Sequence, residues 1–163
     1  LNLPAKNKMI TPNYQHLEKE QIPKIFSKDK KIRLNVIAGH QQNEVGLINT
    51  QTQVNVFTTN ATENGEMEIE IPENHQSLLY LLDGEIIVNT TEVLKKGKHQ
   101  MVTFNQDGNT IKFKAKKESI LLILSGEPIN EKVTQYGPYV MNTQTEILEA
   151  IRDYQQGKMG FLY

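Results

Sequence analysis

Leu78-Leu79-Tyr80-Leu81-Leu82-Asp83-Gly84-Glu85-Ile86-Ile87-Val88 decides the fold. Two apolar runs of strand length flank Asp-Gly, and Asp-Gly is a strong hairpin signal because it accepts the positive φ angles of a tight turn. Both runs are too short for the 3.6-residue periodicity of a surface helix. The same grammar continues upstream. Met67-Glu68-Ile69-Glu70-Ile71 alternates strictly, the mark of a half-buried strand, and Pro72 ends it. Ile32-Arg33-Leu34-Asn35-Val36-Ile37-Ala38 alternates until Gly39, and Val54-Asn55-Val56-Phe57-Thr58 is β-branched and aromatic. Downstream come Val102-Thr103-Phe104, Thr110 to Ala115 and Ile120 to Leu124, with Asp107-Gly108 turning between the first two. Strands about every ten residues with turn signals between them predict an all-β antiparallel sandwich or closed barrel.

Helical spacing occurs near the end. Ile147, Leu148, Ile151 and Tyr154 form one apolar stripe, Thr143 with Glu146 makes a capping box, and Gly157 stands where a left-handed C-terminal cap belongs. A helix over about 143–156 is predicted, and its stripe needs an apolar partner in the barrel or a neighbouring domain. Residues 127–142 read as a loop with an apolar load: Tyr136, Pro138, Tyr139 and Met141. Residues 1–21, polar with Pro4 and Pro12, read as a linker or wrapping arm ahead of a domain spanning 22–163.

At 163 residues there is enough chain for one domain with a real core and too little for two ordinary ones. Eighteen basic and nineteen acidic residues leave a net charge of -1, which gives no basic face for nucleic acid. Lys112, Lys114, Lys116 and Lys117 alternate along an expected strand and read as a solvated face. Cysteine is absent, which excludes disulfides and thiolate metal sites. No run approaches the ~20 apolar residues of a membrane span, and the start has no signal-peptide shape. A cytoplasmic location is expected. The chain opens on Leu1 rather than Met, as a numbering that starts partway into a longer chain would.

Several stretches resemble the pirin family. The arm Asn2-Leu3-Pro4-Ala5-Lys6-Asn7-Lys8-Met9 with Pro12-Asn13-Tyr14-Gln15 looks like the family's inter-domain connection, and Ile22-Pro23 and Val36-Ile37-Ala38-Gly39 follow in order. Residues 78–85 resemble the hairpin strand of its second barrel. The most specific stretch is Tyr136-Gly137-Pro138-Tyr139-Val140-Met141-Asn142-Thr143, then Glu146-Ile147, Ala150-Ile151 and Asp153-Tyr154-Gln155-Gln156-Gly157. The resemblance implies an antiparallel, jelly-roll-like cupin barrel with one C-terminal helix. It implies a bicupin whose two barrels face each other, with iron or another divalent metal held by three histidines and a glutamate in the N-terminal barrel. Those ligands have no counterpart here. Family members are described as quercetin dioxygenase-like enzymes and, in eukaryotes, as nuclear redox-sensitive transcription cofactors.

A metal-binding cupin barrel needs two histidines and a carboxylate on one strand pair and a further histidine from a later strand, a donor set that suits iron and related metals. Placing Tyr80-Leu81-Leu82-Asp83-Gly84 at the end of the family's first motif puts the ligand positions at Ile71, Glu73, His75 and Ser77. Glu73 and His75 are the remnant donors; His99 falls too early for the second motif and in a turn. His16 and His40 are expected at the surface, and His75 is expected to hydrogen-bond its own loop. Phosphate loops, nucleophile elbows and HExxH are missing. The expectation is therefore no catalytic residue and no metal or other cofactor in this chain, which serves as the C-terminal half of a quercetin dioxygenase-like protein beside an N-terminal cupin barrel. The alternative is a non-catalytic binding or regulatory interaction module with a protein partner. Tyr136, Pro138, Tyr139 and Met141 are the expected inter-domain or cleft contacts, set against a role in stapling the final helix.

Overall fold

Alternating sequence becomes alternating burial. In this computed structural model, which describes residues 2–160, Ile32, Leu34, Val36 and Ala38 are all buried along one strand, while the residues between them are half-buried. The strands are β1 (Lys24–Phe26), β2 (Ile32–Ala38), β3 (His40–Gln41), β4 (Glu44–Val45), β5 (Val54–Ala61), β6 (Glu66–Glu70) and β7 (Gln76–Asp83). They continue as β8 (Glu85–Val88), β9 (Glu92–Lys95), β10 (Met101–Thr103), β11 (Thr110–Ala115), β12 (Ser119–Gly126), β13 (Thr134–Tyr136) and β14 (Tyr139–Met141). One helix follows, α1 (Gln144–Gln155).

Contacts divide the chain into two units: Tyr14–Pro128, and the stretch up to Asn13 together with Ile129 onward. Within the first, among the described residues, a six-stranded antiparallel sheet runs β1-β2-β5-β12-β7-β10 and a four-stranded sheet runs β6-β11-β8-β9. The core lies between their inner faces. Leu34, Phe57, Leu79, Leu121 and Ile123 come from the large sheet and Ile69, Ile86, Ile111 and Phe113 from the small one. Each such fully buried side chain contributes about 1.5–3 kcal/mol relative to exposure.

Asp83-Gly84 is not a hairpin turn. β7 pairs with β12 and β10, whereas β8 pairs with β11 and β9, so the chain crosses from one sheet to the other at this point. A bulge accounts for the crossing: Leu121 pairs with Leu81 but Ile120 pairs with Asp83, which bends the end of β7 away from its partner. Gly84 has φ +96°, and a Cβ there would collide with Ser119 and Glu118, so the corner requires glycine. Asp107-Gly108 likewise lies on a crossing, between β10 and β11. Turn chemistry marks a reversal; it does not name the strand's partner.

Strand β9, unforeseen in the sequence, makes a genuine hairpin with β8. Val88 C=O accepts from Thr91 N–H at 3.2 Å, and the two residues between, Asn89 (φ 46°) and Thr90 (φ 67°), both lie in the left-handed region. Asn tolerates this conformation and Thr, β-branched, does not. On the outer face of β6 and β11, Glu66 pairs with Lys112 at 3.0 Å, so the alternating lysines do lie on a solvated strand face.

In the second unit, residues 134–141 form the β13–β14 hairpin rather than an irregular loop. Gly137 (φ 54°) turns it between the paired Tyr136 and Tyr139. Helix α1 packs against this hairpin, with Ile147 fully buried. Leu148 and Tyr154 of the same predicted stripe stay exposed. The caps match expectation. Glu146 N–H donates to Thr143 Oγ1 at 3.3 Å while Thr143 N–H donates to Glu146 at 2.7 Å. At the other end Gly157 N–H donates to Tyr154 C=O and Lys158 N–H to Asp153 C=O, a Schellman closure with Gly157 at φ 70°. Ala5 N–H also reaches the Glu131 carboxylate, at 2.7 Å, tying the arm to this unit.

Replacing Thr90 with Gly should stabilise the protein by about 1 kcal/mol, because strain of this kind costs on the order of 1–3 kcal/mol and glycine also adds freedom to the unfolded chain. Thermal unfolding of Thr90→Gly would show it as a raised Tm.

Candidate functional site

At one end of the 14–128 barrel the turns after β6, β8 and β10 enclose a cavity of about 290 Å³. Its floor comes from inward-facing strand positions such as Ile71 and Ile111, and its rim from Asn89, Asn105 and Asp107. His75 and Ser77, at the start of β7, lie in the wall. Pro72 ends β6 and its carbonyl accepts from His75 N–H at 2.9 Å, a tight turn that carries the imidazole inward.

The His75 side chain does not bond to its own loop. Nδ1 lies 3.1 Å from Ser125 Oγ on β12, and Ser125 Oγ accepts from Asn55 Nδ2 at 2.9 Å. Asn55 Oδ1 in turn accepts from His40 N–H at 3.1 Å. Among the described residues Ser125 Oγ has only these two side-chain partners, so its own proton is satisfied by donation to Nδ1. That arrangement assigns the ring proton to Nε2, which is buried and has no hydrogen-bond partner. Burial pushes the His75 pKa down, opposed by the Glu127 carboxylate, so the ring is neutral near pH 7.

A three-imidazole metal centre does not fit these residues. Ile71 is apolar, Glu73 is exposed in the turn, Ser77 is half-buried, and the Nδ1 lone pair of His75 is occupied by Ser125. Among the described residues no three His, Cys, Asp or Glu side chains are grouped to hold a metal ion. His99 is exposed between β9 and β10, His16 pairs with Glu18 at 3.0 Å on the surface, and His40 is exposed. Glu73 and His75 therefore part company: one faces solvent and the other the core.

Tyr136, Pro138, Tyr139 and Met141 are brought together on the β13–β14 hairpin. Tyr136 and Pro138 are exposed, Tyr139 and Met141 half-buried. Sequence reasoning passed over Ser125 and Asn55. Their signal was present: each is a polar residue in register with the core-facing apolar side chains of its strand, Phe57 for Asn55 and Leu121 and Ile123 for Ser125, and such residues are buried only with partners.

An antiparallel barrel of two sheets with this strand order defines a cupin-type domain. The family is then specific: a profile described as the pirin C-terminal cupin domain matches residues 56–160, and the chain belongs to the pirin family. A pirin-like protein of Solanum lycopersicum is 34% identical over 162 residues, covering 99% of this chain and 55% of the tomato protein. Pirin of Rattus norvegicus is 32% identical over 163 residues, covering 99% and 55%. A crystal structure of quercetin 2,3-dioxygenase from Acinetobacter baumannii superposes with a TM-score of 0.92 at 33% identity, covering all of this chain and 56% of that one. The chain thus spans about half the length of these relatives.

The lowered native pKa of His75 fixes a pH dependence. The unfolded chain binds a proton near pH 6.5 and the folded one resists it, so stability falls as pH drops below about 6.5 and is flat above that range. Urea unfolding between pH 7.5 and 5 should show this loss in the native chain, and His75→Gln should reduce its slope. An unchanged slope in the variant would contradict the assignment.

Proposed function

We propose that this chain is the C-terminal, metal-free half of a pirin-like bicupin. In this reading it forms one wall of the cleft beside an N-terminal cupin barrel of the same protein, which holds iron or another divalent metal and carries quercetin 2,3-dioxygenase-like activity. The observation that carries it is the outer face of the large sheet. β7 and β12 are apolar on both faces, where a strand with one solvated face would alternate. Across that outer face Leu122 pairs with Tyr80 and Tyr80 with Met101, and Leu124 pairs with Leu78. Leu82, Met101 and Ile120 on this face are 47%, 57% and 39% exposed, apolar side chains that a partner surface would cover.

The lengths of the relatives supply the size of that partner, since about half of each lies outside the match. Tyr136, Pro138, Tyr139 and Met141 serve as further inter-domain contacts. Catalytic residues belong to the partner barrel; this chain contributes shape, shielding and a dry boundary to the cleft, which strengthens electrostatics there. No helix among the described residues is long and apolar enough to cross a membrane, and we place the protein in the cytoplasm without a nucleic-acid contact of its own. A second reading, a binding or regulatory module without turnover, is favoured by the donor-poor barrel mouth.

The two readings separate on the natural full-length protein. The first predicts about one equivalent of iron and quercetin-dependent oxygen uptake for that protein, and neither for the 163-residue chain by itself. Full-length protein that takes up no oxygen with quercetin would favour the second. Stoichiometric metal in the isolated chain, lost in His75→Ala, would overturn both.

A further inference from the structure

The cavity at the barrel mouth has a chemistry that its role as a cleft wall does not require. Among the described residues no lysine or arginine lines it, while Glu92 and Asp107 do, so an anionic ligand finds no counter-charge there. Phe104 and Ile71 give an apolar surface, and Asn89, Thr91 and Asn105 place amide and hydroxyl groups around it. At about 290 Å³ it falls just below the ~300–1,000 Å³ range of drug-sized ligand sites, a size for a smaller molecule.

The left-handed Asn89-Thr90 pair is the geometry that the two-residue β8–β9 hairpin turn requires, and it sets Asn89 and Thr91 on the lining of the mouth. Asn89 is held in place from behind: its Oδ1 accepts from Lys112 N–H at 3.0 Å and its own N–H donates to Lys112 C=O at 2.8 Å. That leaves its side-chain N–H2 uncommitted among the described residues. His75 also stands in the wall, 5% exposed, and among the described residues its buried Nε2 has no hydrogen-bond partner.

We propose that this mouth binds a small neutral polyhydroxylated molecule of about monosaccharide size. Its C–H face lies on Phe104, and its hydroxyls donate to Asp107 and Glu92 and exchange hydrogen bonds with Asn89, Thr91 and Asn105. Carboxylates accept from paired hydroxyls and amides supply both donor and acceptor, the mixed set that a polyol needs and a purely apolar ligand wastes. The proposal stands apart from the bicupin reading and is tested on the chain alone.

The experiment is amide chemical-shift titration of the labelled chain with methyl α-D-glucopyranoside, myo-inositol and D-glucuronate. Saturable shifts confined to Asn89, Thr91, Asn105 and Gly108 are expected with at least one neutral polyol. Glucuronate, repelled by the rim carboxylates, should bind about tenfold more weakly, a difference of about 1.4 kcal/mol. Asn105→Leu and, separately, Asp107→Asn should each weaken binding severalfold while resonances of β5 and β12 stay in place. No saturation with either neutral polyol at millimolar concentration, equal binding of glucuronate, or indifference to both variants would each overturn it.

Discussion

The pairing of β12 with its two neighbours is the interaction on which the rest of the structure depends. Eight residues of β12 pair with β5 and seven with β7, at the centre of the large sheet. Leu121 and Ile123 point inward from it to the core, Leu122 and Leu124 point outward, and Ser125 at its end anchors His75 and Asn55. The same strand thereby sets the core, the outer apolar face and the wall of the barrel mouth. A one-residue slip would exchange the two faces and separate Ser125 from both partners.

The cavity wall shows how a polar string can be built into such a strand at low cost. Asn55, Ser125 and His75 each satisfy one another, so their burial needs no charge. The end of the string, Nε2 of His75, is left over. In a metal-holding cupin a histidine nitrogen would face an ion; here Ser125 takes Nδ1 and Glu73 turns to solvent. Among the described residues the barrel groups no three donor side chains of the kind a metal ion needs.

Much of this was legible in the sequence. Strict alternation gave β2 and β6, β-branched composition gave β5, and the capping box with Gly157 marked α1. These are local signals, and local chemistry decides them. What stayed hidden was pairing: Asp83-Gly84 announced a reversal, but the bulge at Leu82 decided that β7 and β8 would part into different sheets. β9 and β13–β14 were missed because strands of three or four residues carry little periodicity and owe their form to the partner strand. At the site, His75 was singled out as a metal remnant, and its actual partner lay fifty residues away at the end of β12. The run Leu78 to Leu82 was read as apolar throughout, and only the sheet order shows which of its side chains face the core and which the outer side of the large sheet.

Whether that face is covered is the most direct question. Oxidative footprinting of Met101, 57% exposed in this chain, answers it in the natural full-length protein and in the isolated chain side by side. The account predicts ready sulfoxide formation at Met101 in the isolated chain and strong protection in the full-length protein. Equal oxidation in both would contradict the claim that the outer face of the large sheet is built for a partner barrel.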